Sequence, residues 1–98
     1  MQRFEIVFTF LDQNHQSVDE ALIFDVIDEI GAECGGYARV RRLGFWIEED
    51  SGEQYMGPEW LVTSDAEETP ERWRWFKGKK AEWRSKLNYK SQYIATQP

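Results

Sequence analysis

Ninety-eight residues, 41% of them hydrophobic and 15% aromatic, are enough to build one core and too few for two. A single cysteine excludes an internal disulfide, no zinc-ligand spacing is present, and the apolar runs fall far short of the ~20 residues a membrane-crossing helix requires. The net charge of −6 conceals a division: residues 1–69 carry 16 acids against 4 basic residues (−12), and residues 70–98 carry 2 against 8 (+6). This composition leads us to expect a soluble, cytoplasmic protein with a dipolar surface.

The chain opens on a strand. Phe4, Ile6, Phe8 and Phe10 recur every second residue with Arg3, Glu5, Val7 and Thr9 between them, the period of a strand with one face on a core. The segment 12–16 breaks the pattern with turn-forming side chains, and Ser17 followed by Glu20 reads as a capping box, so a helix is expected from Val18. Leu22, Ile23, Val26, Ile27 and Ile30 fall on one arc of it, and Gly31 is expected to end it. Phe24 lies off that arc.

Residues 36–47 read as a second strand with Arg39, Arg41 and Arg42 interspersed among apolar residues, and Gly44 suggests a bulge. An acidic turn at Glu49-Asp50-Ser51-Gly52 reverses the chain into a third strand, residues 53–63, expected to be broken at Gly57-Pro58 because proline cannot donate to a ladder. Trp60 and Val62 share one face of it and Leu61 takes the other. Thr69-Pro70 marks the start of a second helix, in which Trp73, Phe76, Lys80, Trp83 and Leu87 repeat at spacings of three and four and form one stripe. Trp75 is expected to lie away from this stripe, exposed beside Arg72 and Lys79. A last strand follows within residues 89–96, with Tyr93 and Ala95 on one side and Ile94 on the other.

Strand, helix, strand, strand, helix, strand in one small domain implies an α+β, ferredoxin-like split βαβ sandwich: a four-stranded antiparallel sheet with both helices on one face. The opposite face is left uncovered, and the Arg-bearing second strand lies at an edge.

No cofactor or metal is implied. Asp12, Asn14 and Gln16 alternate like the first ligands of a calcium loop, but the later positions of that motif hold Ser17 and Ile23. Cys34 and His15 bracket a helix and are held too far apart for a nucleophile and its base. The chain is therefore expected not to be an enzyme. Two surfaces are candidates for binding: the acidic tip Glu48, Glu49, Asp50 and Glu53, and the strand-and-helix set Arg39, Arg41, Arg42 and Trp75.

Gly35-Gly36, Gly44-Phe45-Trp46, Gly52 and Gln92-Tyr93-Ile94 together resemble small ferredoxin-like proteins related in fold to the nitrogen-regulatory P-II class. That resemblance implies an oligomer with small ligands held between subunits. The turn between the middle strands is too short to be the long ligand-responsive loop of the regulatory proteins. The expectation drawn from charge and size is a small acidic, non-enzymatic interaction protein, of the phage or mobile-element inhibitor type, docking on a basic surface of a protein partner. The alternatives are a P-II-like homo-oligomer binding a small anionic ligand near Arg39, Arg41 and Arg42, and a nucleic-acid binder using the basic, Trp-rich second helix.

Overall fold

The alternation through Phe4, Ile6 and Phe8 puts three fully buried side chains on one face of the first strand, and the rest of the core is assembled against them. A computed structural model describes residues 1–97. Its elements are β1 (Gln2–Thr9), α1 (Glu20–Cys34), β2 (Ala38–Ile47), β3 (Gln54–Ala66), α2 (Pro70–Leu87) and β4 (Tyr93–Gln97). The strands form one antiparallel sheet in the order β2-β3-β1-β4, so β1 and β3 are central and the Arg-bearing β2 is an edge, as its sequence implies. The α+β architecture and the four-stranded antiparallel sheet agree with the expected fold class.

The register sorts the side chains. Phe4 faces Ser64, Ile6 faces Val62 and Phe8 faces Trp60, on the side that the helices cover. Ile23, Val26, Ile27 and Ile30 of α1 and Phe76, Trp83 and Leu87 of α2 complete the core. Stacked and edge-on aromatic contacts fill it: Phe4 stacks on Phe76 with ring centroids 5.0 Å apart, and Phe8 meets Trp83 edge-on at 5.9 Å. Glu5, Val7 and Thr9 point to the opposite, open face together with Leu61 and Glu59 of β3 and Tyr93 of β4.

Several local expectations fail for identifiable reasons. Helix α1 begins two residues later than the capping box suggested, because Asp19 caps it by accepting from the amide of Ala21, while Ser17 is drawn into a bridge with Leu11. It also runs through Gly31 to Cys34, and the positive-φ residue that ends it is Gly35, whose amide donates to the carbonyl of Gly31. Neither Gly44 nor Gly57-Pro58 interrupts the sheet: β2 and β3 pair continuously from Ala38↔Thr63 to Ile47↔Gln54. Pro58 is tolerated because the carbonyl of Phe10, which would face its missing N–H, accepts from the amide of Val18, while the Pro58 carbonyl accepts from the amide of Phe10. The start of α2 is as expected, with Thr69 accepting from the amide of Arg72 and Pro70 in the first turn. Within that helix Lys80 is exposed and does not belong to the buried stripe.

Truncating Trp83 to Ala is expected to destabilise the fold by about 3–5 kcal/mol, whereas Lys80→Ala should change it by less than ~0.5 kcal/mol. Denaturant unfolding of the two variants checks this, and comparable losses would contradict the assignment of Trp83 to the core and Lys80 to the surface.

Candidate functional site

Among the described residues Glu59 is the one buried acidic side chain, only 5% exposed although it lies on the face that the helices leave open. Burying a carboxylate requires a counter-charge and hydrogen-bond donors. Arg42, opposite it in the register, supplies both, its Nε donating to Glu59 Oε2 at 2.7 Å. Space for the carboxylate comes from Gly44, two residues further along β2. A Cβ there would stand 1.9 Å from Glu59 Oε1, so a side chain at position 44 and the present position of Glu59 are mutually exclusive. The glycine that suggested a bulge is instead the floor on which the carboxylate rests.

Glu59 and Arg42 line a cleft of about 800 Å3 on the open face, within the range of small-molecule sites. Its floor is made by β1 and β3, including Val7 and Thr9, and one wall by β4 through Tyr93. The hairpin tip forms the other wall. Lys90, just before β4, ties that tip down by donating to Glu48 Oε1 at 2.8 Å and Asp50 Oδ2 at 2.5 Å. The rings of His15 and Tyr55 stack with centroids 4.6 Å apart, and Tyr55 stacks on Trp46 at 6.0 Å, which gives the rim an aromatic ladder. The Tyr55 hydroxyl donates to Glu53, and that hydrogen bond pushes the phenol up to about 12, so it stays protonated across the ordinary pH range. Counted over the lining, six acids (Glu5, Asp12, Glu48, Glu49, Asp50 and Glu59) stand against Arg42 and Lys90. A cleft with this excess of carboxylates and this many rings suits a cation that carries a flat, stackable group.

The residues singled out from sequence are divided by the fold. Glu48, Glu49, Asp50 and Arg42 come together at the cleft. Glu53 stands behind them as the acceptor for Tyr55. Arg39 and Arg41 point to the helix side, where the Arg39 guanidinium lies 3.9 Å from the Phe24 ring centroid and 4.9 Å from that of Trp60, and Arg41 lies 4.9 Å from Phe10. The three arginines are therefore not one anion site. Trp75 is not the exposed ring expected of it: it is partly buried, edge-on to Phe76 at 5.0 Å and to Trp83 at 5.9 Å. Phe24, which had no place in the helix pattern, packs on Trp60.

Asp12 uses its carboxylate to accept from the amides of Gln16 and Asn14, and those bonds hold its carboxyl below the usual range. Its loop is a turn tied to the end of α2, where the Asn88 side chain donates to Asp12 Oδ2 at 3.1 Å and the Asn88 carbonyl accepts from the amide of Gln13. His15 sits at the cleft rim and Cys34 at the far end of α1, where burial pushes the thiol up. Glu59 itself was absent from the sequence-derived candidates. A lone acid after Gly57-Pro58 gives little signal until β2 and β3 are aligned and Arg42 and Gly44 fall beside it.

No family model and no curated protein matches this chain. Among solved structures it is similar to a phage SAM lyase in complex with S-methyl-5'-thioadenosine, with a TM-score of 0.68 and 15% identity over 98% of this chain and 79% of that one. A phage SAM lyase in the apo state gives a TM-score of 0.62 at 16% identity, over 98% and 78% of the two chains. At that identity the likeness is one of fold. It overturns the expectation that the chain is not an enzyme, which rested on the lack of a cysteine–histidine pair, because the same architecture carries lyase chemistry in the phage protein.

Gly44→Ala is expected to cost about 1–3 kcal/mol by overpacking, and the added Glu59→Ala should recover most of that loss by vacating the contact. Thermal denaturation of the single and double variants reads this, and additive losses would contradict the proposed clash. The Lys90 bond to Asp50 holds the aspartate below its ordinary 3.8, so its contribution is full above that value and is lost as pH falls through the lower, folded-state value. Lys90 is raised above its ordinary 10.5 mainly by Asp50, so the same contact also fails as pH rises through that raised value. Amide exchange over residues 48–53, corrected for the intrinsic pH dependence, should accelerate at both extremes; a flat corrected profile would contradict the tie.

Proposed function

We propose that this chain is an enzyme of the SAM lyase type, acting on a sulfonium nucleoside in the cleft over Glu59. The observation that carries the proposal is the buried carboxylate held by Arg42 and seated on Gly44, at the centre of an acidic, ring-lined cleft. Three features of the ligand fit. A positively charged sulfur suits an excess of carboxylates, an adenine ring suits the stacked His15, Tyr55 and Trp46, and such stacking contributes about 1–3 kcal/mol per base. The cleft volume suits a nucleoside with a short side chain. The shared fold with a phage SAM lyase adds support.

In the proposed reaction the bond between the sulfonium sulfur and the amino-acid chain breaks, and its electron pair returns to sulfur. Sulfur becomes neutral in the thioether product, S-methyl-5'-thioadenosine. The carboxylate oxygen of the four-carbon fragment attacks the carbon that sulfur leaves, so the new C–O bond replaces the broken C–S bond, the fragment departs as homoserine lactone, and no water is taken up. Glu59 binds and orients the cationic centre. Arg42 holds the Glu59 carboxylate over Gly44, in space that a side chain at position 44 would fill.

Incubation with S-adenosylmethionine, followed by chromatography, is expected to yield S-methyl-5'-thioadenosine. Glu59→Gln keeps the volume and removes the charge, and should lower turnover ~10²-fold, the scale of a misplaced reacting group, without altering the melting temperature by more than a few degrees. No product from the unmodified chain, or full turnover by Glu59→Gln, would contradict the proposal.

A further inference from the structure

Glu59 uses only part of Arg42. A guanidinium offers its N–H donors in a rigid planar fork, and here Nε alone is engaged, donating to Glu59 Oε2 at 2.7 Å. Among the described residues neither terminal nitrogen of Arg42 has a hydrogen-bond or ion-pair partner within the chain. The side chain is 46% exposed and lines the cleft, so those donors meet whatever enters it. Lys90, the other cation of the lining, is already committed to Glu48 and Asp50 at the hairpin tip.

The free end of the fork matters because S-adenosylmethionine is not a simple cation. It carries a carboxylate as well as a sulfonium, and the acids of the lining repel that carboxylate. In the lactone-forming reaction the same carboxylate attacks the carbon that bears sulfur, and a near-attack approach brings its oxygen within about 3–3.5 Å of that carbon. A sulfonium held over Glu59 therefore forces the ligand's carboxylate close to Glu59 as well, like charge beside like. A cation has to stand next to both, and the one that stands next to Glu59 is Arg42, its cross-strand partner. The chemistry of the two groups matches, since a guanidinium takes a carboxylate through one or two charge-assisted N–H···O bonds. A carboxylate has about four lone-pair sites, so one held in this way keeps a lone pair with which to attack.

We propose that the free end of the Arg42 guanidinium binds the amino-acid carboxylate of the substrate, so that the Arg42–Glu59 pair receives both charges of the ligand together: Glu59 the sulfonium, Arg42 the carboxylate. The inference rests on the reading of the cleft as a sulfonium-nucleoside site and goes beyond it by assigning the specificity. Arg42 selects the amino-acid-bearing sulfonium against the field of the surrounding acids. An acidic cleft without this contact prefers the ligand with the greater positive charge.

That opposition of signs supplies the test. Decarboxylated S-adenosylmethionine keeps the nucleoside, the sulfonium and the ammonium but lacks the carboxylate, and so carries one more net positive charge. Rapid-mixing titration of the unmodified full-length chain, read by tryptophan fluorescence before turnover, should show S-adenosylmethionine binding tighter than the decarboxylated compound by ~10-fold or more, the scale of a hydrogen bond to a charged group. Arg42→Gln should weaken S-adenosylmethionine by a similar factor and leave the decarboxylated compound bound at least as tightly as before. The comparison on the unmodified chain decides the matter even where that variant fails to fold. Equal binding of the two ligands, or tighter binding of the decarboxylated one, would overturn this inference and leave the cleft reading standing. Equal weakening of both ligands by Arg42→Gln would also overturn it, since that is the signature of a purely structural role. Binding of neither ligand to the unmodified chain would overturn the cleft reading and this inference together.

Discussion

A carboxylate on the inner part of a sheet can persist only if something compensates its charge and something makes room for it. Glu59 has both from one strand: Arg42 gives the charge and Gly44 the space, two residues apart and on the same face of β2. That arrangement requires the β2–β3 pairing to be unbroken and in this register, since a slip of one residue would turn both partners to the other side. The cleft, its wall at the hairpin tip and its negative character all follow from the same alignment. Helices on one face of the sheet leave the other free for this purpose, and Phe4, Ile6 and Phe8 keep β1 fixed beneath it.

The tip is held from outside the hairpin. Lys90 reaches back from the approach to β4 to Glu48 and Asp50, and His15 from the β1–α1 connection stacks on Tyr55. Acidic residues that look like a solubilising run in the sequence are thus partly engaged in closing one side of a cavity. Their exposed members leave the cavity negative, which is what distinguishes it from a site for an anion. Arg39 and Arg41 belong to different physics, lying over Phe24 of α1, Trp60 and Phe10 as cation–π partners.

Element order, strand pairing and the cap of α2 were legible because they rest on short-range rules: alternation in β1, Thr69-Pro70 at a helix start, three-and-four spacing in α2. The less regular positions were misread where a tertiary contact outranked a local signal. Gly31 continues a helix because Gly35 is available four residues later to end it. Gly44 and Pro58 stay within a ladder because a long pairing on either side outweighs one awkward residue. Trp75 is drawn inward by two neighbouring rings. The candidate site was legible only in part, through Arg42 and the acidic tip, because Glu59 acquires meaning from residues 15 and 17 positions earlier in the chain. The expectation of a protein without catalysis rested on Cys34 and His15, which a helix holds apart, and a strand carboxylate such as Glu59 carries no comparable signature in the sequence. The glycines that resembled the P-II class have local uses here: Gly35 caps α1 and Gly44 houses Glu59.

The central claim is that the open-face cleft around Glu59 receives a cationic nucleoside. An amide-resolved NMR titration with S-adenosylmethionine near neutral pH tests this most directly. The account predicts saturable shifts concentrated at Val7, Arg42, Gly44, Glu59 and Tyr93 and weakened by Glu59→Gln. Shifts confined to the basic face of α2, or none at millimolar ligand, would contradict it.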